Sequence, residues 1–193
     1  MLENLSKYKV VLASNSPRRK ELLAGLGLEF QVRTIPGIDE SYPRELKGEA
    51  IPKYISVKKA EAYRGTMGDD ELIITADTIV YVDGQVLGKP VDADDARRMF
   101  RMMSGRSHQV ITGVSVVTKD KVICFATTTS VTFAQLTDDE VEYYIERYKP
   151  FDKAGAYGIQ EWIGYVGITS IEGSYYNVVG LPVQRLYTEL KKL

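Results

Sequence analysis

The sequence predicts an α/β protein built on a mixed β-sheet with flanking helices, arranged as two lobes of a single domain over residues 1–193. Three observations carry that prediction. Strand-like and helix-like segments alternate along the chain with no repeat, low-complexity stretch or linker. Hairpin signals at Asp83-Gly84 and Lys119-Asp120 stand beside stretches in which a helix must carry the chain from one strand to the next. The apolar strand runs are bounded by residues that start and stop helices.

The elements follow in order. Residues 8–13 are an apolar run and read as a buried strand. Ser16 is a good N-cap and Pro17 suits the first helical position, so a helix is expected over 17–24, closed by Gly25 or Gly27. Residues 29–35 alternate as a second strand until Pro36-Gly37 breaks the pattern, and Asp39 and Glu40 fall on the loop after it. Over 51–63, Ile51, Tyr54, Ile55, Val57 and Ala60 mark a helix with one packed face. A strand over 72–76 ends at Asp77-Thr78, the pattern resumes over 79–82, and Asp83-Gly84 turns it into 85–87. Asp92 caps a helix through Ala96, Met99, Phe100 and Met103, which Ser104-Gly105 ends. Residues 109–118 and 121–134 are rich in Val, Ile, Thr and Phe and are expected to pair antiparallel. Thr137 opens a helix with three acidic residues in its first turn, and Pro150 stops it after Tyr148. Residues 162–171 read as a strand and 181–190 as a closing amphipathic helix.

Composition narrows the function. The chain is 44% hydrophobic and 26% charged, with a net charge of −1, so its positive charge is local and suits a small anion better than a nucleic acid. One cysteine and one histidine leave no multi-cysteine or histidine-based zinc site. A metal here would need carboxylate oxygens and would be hard, such as Mg²⁺ or Mn²⁺. No stretch approaches the length of a membrane span, and the amino terminus lacks the apolar run of a signal peptide, so the cytoplasm is expected.

Several segments could carry chemistry. Ser14-Asn15-Ser16-Pro17-Arg18-Arg19 joins a strand to a helix whose free amides, hydroxyls and paired guanidiniums suit a polyphosphate, although an ordinary capped helix with solvated arginines has the same local sequence. Asp77 follows an apolar strand, at the sheet edge where α/β proteins place ligands, and could bind Mg²⁺, activate water or simply order the next turn. In Gly88-Lys89-Pro90 a lysine is held on a short constrained loop, while the Walker A spacing occurs nowhere. Residues 152–160 are small except for Lys153 and Gln160, whose amide offers the donor and acceptor needed to read a pyrimidine edge. Asp39 and Glu40 could complete a metal site with Asp77, and Lys58 or Lys59 could face the same ligand. Ser104 and His108 are too close on a helix-ending turn for a catalytic triad, and His108 reads as structural.

Taken together, these fragments resemble the Maf family of nucleoside triphosphate pyrophosphatases over residues 12–182. The fragments are LASNSPRRKELL at 12–23, DE at 39–40, KA at 59–60, ADT at 76–78, GKP at 88–90, SGRSHQVITGV at 104–114, DKAGAYGIQ at 152–160 and GSYYNVVGLP at 173–182. The form of DKAGAYGIQ resembles the branch acting on dTTP and UTP. Asn15 departs from the smaller residue the family often has there. The resemblance implies an elongated mixed sheet with two lobes around a cleft, similar to inosine triphosphate pyrophosphatases. It also implies hydrolysis between the α and β phosphates with Mg²⁺ or Mn²⁺, and a homodimer. By position, Asp77 matches the proton acceptor, and Arg18, Thr78 and Gln160 match residues of substrate choice. Ser14, Arg19, Lys59 and Lys89, with Lys153, are implied to hold the substrate, and Glu40 with Asp77 the metal. A nucleotide-binding regulatory module of cell division without turnover, or a phosphohydrolase cleaving a different bond, are the rival classes.

Overall fold

The centre of the fold is a strand whose residues 72–77 are all buried, as expected for a chain segment covered on both faces. A computed structural model describes residues 2–193. Its elements are β1 (Lys9–Leu12), α1 (Pro17–Ala24), β2 (Gln31–Val32), α2 (Ala50–Glu61), β3 (Glu71–Val82), β4 (Gln85–Leu87) and α3 (Ala93–Met103). There follow β5 (Ser107–Val117), β6 (Val122–Phe133), α4 (Asp138–Tyr148), α5 (Trp162–Gly167), β7 (Ile168–Glu172), α6 (Tyr175–Val179) and α7 (Val183–Leu190). The seven strands make one mixed sheet in the order β2-β1-β3-β5-β6-β7, with β4 paired to β3. Helices α1 and α2 carry the chain between parallel strands, so β1 pairs with both β2 and β3 in parallel. The β3–β4 and β6–β7 pairs are antiparallel. Asp83 (φ 48°) and Gly84 (φ 80°) give the β3–β4 hairpin the left-handed pair its two-residue turn needs.

The chain divides into two compact units. The first holds the residues up to Asp77, Thr112–Thr127 and Gly180–Leu193, and the second holds Thr78–Ile111 and Thr128–Val179. Leu12, Leu23, Leu72, Ile74, Val114 and Leu186 lie in the core of the first. Phe100, Met103, Phe133, Tyr144 and Ile163 lie in the core of the second.

The helix signals act as expected. The Ser16 hydroxyl accepts the Arg19 N–H with Pro17 in first position, and Asp92 accepts the Asp95 N–H. Thr137 and Glu140 cap each other reciprocally at the start of α4. Three expectations are corrected. Residues 29–35 form a strand only at Gln31 and Val32, both exposed, so little burial holds a longer strand there. The strand expected to end at Asp77 continues to Val82 as one β3, because Asp77 and Thr78 keep the extended backbone that the flanking apolar residues set. Residues 162–167 form a helix: the buried residues are Ile163 and Gly167, spaced by four, and a Cβ on Gly164 would fall 1.8 Å from the Ile159 carbonyl oxygen. Only 168–172 remain extended.

Candidate active site

In the first unit the charged residues are brought together by how α2 lies on the sheet. Gly113 in β5 has no side chain, and a Cβ there would stand 2.3 Å from the Pro52 carbonyl carbon and oxygen, so helix and strand meet at backbone distance. Thr75 Oγ1 donates to the Ser56 carbonyl at 2.7 Å, and Ser56 Oγ lies 2.9 Å from Ser115 Oγ. Thr75 and Asp77 are two apart on one strand face, and Ser56 and Lys59 are three apart on one helix face. The contact that seats α2 therefore also aims Lys59 at Asp77. Lys59 Nζ donates to Asp77 Oδ1 at 2.8 Å and lies 3.0 Å from Glu40 Oε1. Asp77 is 8% exposed, so this carboxylate is largely withdrawn from water.

The loop bearing Glu40 is pinned by the neighbouring lysine. Lys58 Nζ donates to Asp39 Oδ2 at 2.7 Å and to the Ser41 carbonyl at 3.1 Å, while Asp39 accepts the Ser41 N–H and hydroxyl. These bonds hold the Asp39 carboxyl far below the usual carboxylate range.

The strand-to-helix turn after β1 supplies a second cation. Arg19 Nε donates to the Gly180 carbonyl and Nη1 to the Ala76 carbonyl, both at 2.9 Å, and Nη1 lies 3.5 Å from Ser14 Oγ. Ala76 directly precedes Asp77 in β3, so the guanidinium is fixed to the backbone beside the acid. Burial lowers the Arg19 pKa, Asp77 draws it back up, and Arg18 lowers it again. Ser14, Arg19, Glu40, Lys59 and Asp77 thus form one cluster, with Arg18 half-buried next to it in α1.

Among the described residues no three His, Cys, Asp or Glu side chains stand together as a metal cage. Glu40 and Asp77 nevertheless converge on a single cation, the Lys59 ammonium. Two carboxylates of that kind fit a hard divalent ion that takes its remaining oxygens from phosphate and water.

The second unit holds Thr78, Lys89, Lys153 and Gln160. Thr78 follows Asp77 in β3 and is half-buried. Lys89 is exposed, and its loop is tied to the 152–160 segment because the Gly155 N–H donates to the Gly88 carbonyl at 3.0 Å. Gly155 has φ +69°, and a Cβ on it would lie 2.6 Å from Val80, which is why a glycine stands there. Lys153 is 8% exposed, and its ammonium is engaged by Asp152 at 2.8 Å and by Glu161 at 3.2 Å. Gln160 Oε1 is buried without a hydrogen-bond partner.

Two further residues of this unit carry no motif in the sequence, Tyr144 and Glu161. The Tyr144 hydroxyl donates to Glu161 Oε2 and accepts the Gly158 N–H at 2.9 Å. Tyr144 shows the i, i+3, i+4 spacing of a core residue with Val141 and Ile145, which conceals its polar end; the position of Glu161 beside Gln160 was the available signal. His108 is structural, as expected. It is buried, it stacks on Phe133, its Nε2 lies 2.7 Å from the Tyr157 hydroxyl, and burial lowers its pKa to about 4.

Residues 9–193 match the family described as Maf-like protein. A protein of Phocaeicola vulgatus named dTTP/UTP pyrophosphatase is 65% identical over 100% of both chains. Proteins with the same name from Bacteroides fragilis strain YCH46 and Flavobacterium johnsoniae are 60% and 46% identical, over 100% of both chains and over 99% of this chain and 98% of the other. Among solved structures, the Staphylococcus aureus Ham1 protein is similar at 18% identity and a TM-score of 0.42, over 65% of this chain and 72% of that one.

Proposed function

The chain belongs to the Maf-like protein family, and from that premise we infer that it is a dTTP/UTP pyrophosphatase, a hydrolase that converts these nucleotides to the monophosphate and pyrophosphate. The observation that supports this reading most directly is the convergence of a buried carboxylate, Asp77, and an exposed one, Glu40, on Lys59, with Arg19 anchored one residue away.

Phosphoryl transfer needs little covalent work from a protein and much charge stabilisation. In this reading Arg19, Lys59 and the hydroxyl of Ser14 hold the triphosphate, with Lys89 and Lys153 as further substrate-binding groups. Glu40 and Asp77 would hold Mg²⁺ or Mn²⁺, and that ion would neutralise charge on the phosphate oxygens. Asp77 takes the proton of an attacking water as its oxygen bonds to phosphorus, and the α–β bridging bond breaks to release pyrophosphate. Lys59 keeps the Asp77 carboxylate oriented through their ion pair. Arg18, Thr78 and Gln160 govern substrate choice. Gln160 suits that role because its buried, unpaired Oε1 needs a donor, and a base that brings none leaves it unsatisfied.

We read the protein as a cytoplasmic homodimer acting on free nucleotides, with neither nucleic acid nor membrane as partner. The net charge of −1 supports the part of this reading that leaves out nucleic acid. Among the described residues no helix is long and apolar enough to cross a membrane. The test is a panel of nucleoside triphosphates with Mg²⁺ and identification of the phosphorus product. Pyrophosphate from dTTP and UTP is expected. Orthophosphate would assign a different hydrolase, and no product would leave a nucleotide-binding module.

A further inference from the structure

Tyr144 and Glu161 brace the segment that carries Lys153 and Gln160. Tyr144 is fully buried on the inward face of α4, stacked on Tyr148 and edge-on to Phe100. Its hydroxyl accepts the Gly158 N–H and donates to Glu161 Oε2, while Oε1 of the same carboxylate meets Lys153 Nζ at 3.2 Å. One carboxylate and one hydroxyl therefore tie down both Lys153, near the start of the segment, and Gly158, near its end. Burial and Glu161 raise the Tyr144 pKa, so the phenol stays a donor at any working pH.

Gln160 sits inside this brace. The Glu161 N–H donates to the Gly158 carbonyl at 3.0 Å, closing a turn around it. A Cβ on Gly158 would lie 3.0 Å from Glu161 Cδ and 3.2 Å from Gln160 Nε2, so the amide packs closely over that glycine. A side-chain amide discriminates between bases only when its own position is fixed, because a mobile amide turns to suit either pattern of donors and acceptors.

We propose that Tyr144 and Glu161 are positioning residues for Gln160 and Lys153, setting the preference for pyrimidine over purine triphosphates. The proposal rests on the reading of Gln160 as the residue that meets the base.

The experiment pairs amide hydrogen exchange, resolved at Gly158 by NMR, with steady-state kinetics on UTP, dTTP and ATP. Tyr144→Phe keeps the ring and removes the hydroxyl. In it the Gly158 amide exchanges about tenfold faster, KM for UTP rises about tenfold and the UTP-over-ATP preference falls by a similar factor, while kcat changes less. Glu161→Gln keeps an acceptor for the tyrosine and retains most of the preference, whereas Glu161→Ala loses it. Thermal unfolding of each variant reports whether it is folded. Unchanged Gly158 exchange and unchanged preference in Tyr144→Phe overturn the proposal. Should the wild type release pyrophosphate from no triphosphate, the functional reading fails separately. Gly158 exchange in Tyr144→Phe and Glu161→Gln then decides the bracing role alone, faster exchange in the first supporting it and equal exchange overturning it.

Discussion

Lys59 Nζ stands 2.8 Å from Asp77 Oδ1, and the same helix and strand are joined one turn away by the Thr75 hydroxyl on the Ser56 carbonyl. The ion pair is thus a product of backbone docking rather than of two long side chains finding each other in solvent. With the Lys59 and Asp77 side chains only 15% and 12% exposed, it is also sheltered from the screening that weakens surface pairs.

The docking itself makes the first prediction. Gly113→Ala places a methyl against the Pro52 carbonyl, and backbone cannot yield there as a flexible side chain could. Stability should fall by about 1–3 kcal/mol. Pyrophosphate release should fall with it, because α2 carries Lys59. A chemical denaturation curve and a rate measured well below the unfolding transition separate the two effects. Full activity in a destabilised variant would detach Lys59 from the docking argument.

Arg19 makes the second. Its fork satisfies the Ala76 and Gly180 carbonyls together, a geometry that a lysine ammonium does not reproduce. Arg19→Lys should cost about 1–2 kcal/mol of stability. It should also raise KM for UTP about tenfold, since the charge remains but loses its anchor. A KM within twofold of wild type would count against Arg19 as a phosphate ligand.

For Gln160→Ala the expected effect is on choice rather than speed. The ratio of kcat/KM for UTP to that for ATP should fall by more than kcat does, read from competition between the two nucleotides. An unchanged ratio would remove Gln160 from base recognition.

His108 gives a pH prediction. Its folded-state pKa of about 4 lies below the ordinary 6.5, so between these values the unfolded chain binds the extra proton. Stability from the buried neutral ring is complete above pH 6.5 and is lost as pH falls towards 4, by on the order of 3 kcal/mol. Urea midpoints at pH 4.5 and 7.5 should differ less in His108→Gln than in wild type.

The sequence made much of this legible where a local rule has one outcome. Ser16-Pro17, Asp92 and Asp83-Gly84 each specify a cap or turn through their own chemistry, and the structure has them all. Asp77, Glu40 and Lys59 can be grouped from the sequence as candidates for one ligand, alongside Asp39 and Lys58, but which of them converge depends on Gly113 and Ser56, whose roles exist only once α2 meets β5. Asp77-Thr78 reads as a strand end because two polar residues interrupt an apolar run, yet β3 runs through them. Residues 162–167 carry the aromatic and β-branched types of a strand, and tertiary contact at Ile163, Gly164 and Gly167 overrides that preference. The Tyr144 hydroxyl was hidden by a spacing that marks only the ring as core.

Asp77→Asn is the decisive variant for Asp77 as the proton acceptor, because it keeps the shape of the side chain and removes its charge and basicity. UTP hydrolysis should be followed as single-turnover pyrophosphate release, with nucleotide binding measured separately by calorimetry. The rate should be lower by about a hundredfold or more, with a far smaller change in binding. Near wild-type release of pyrophosphate in this variant would contradict it.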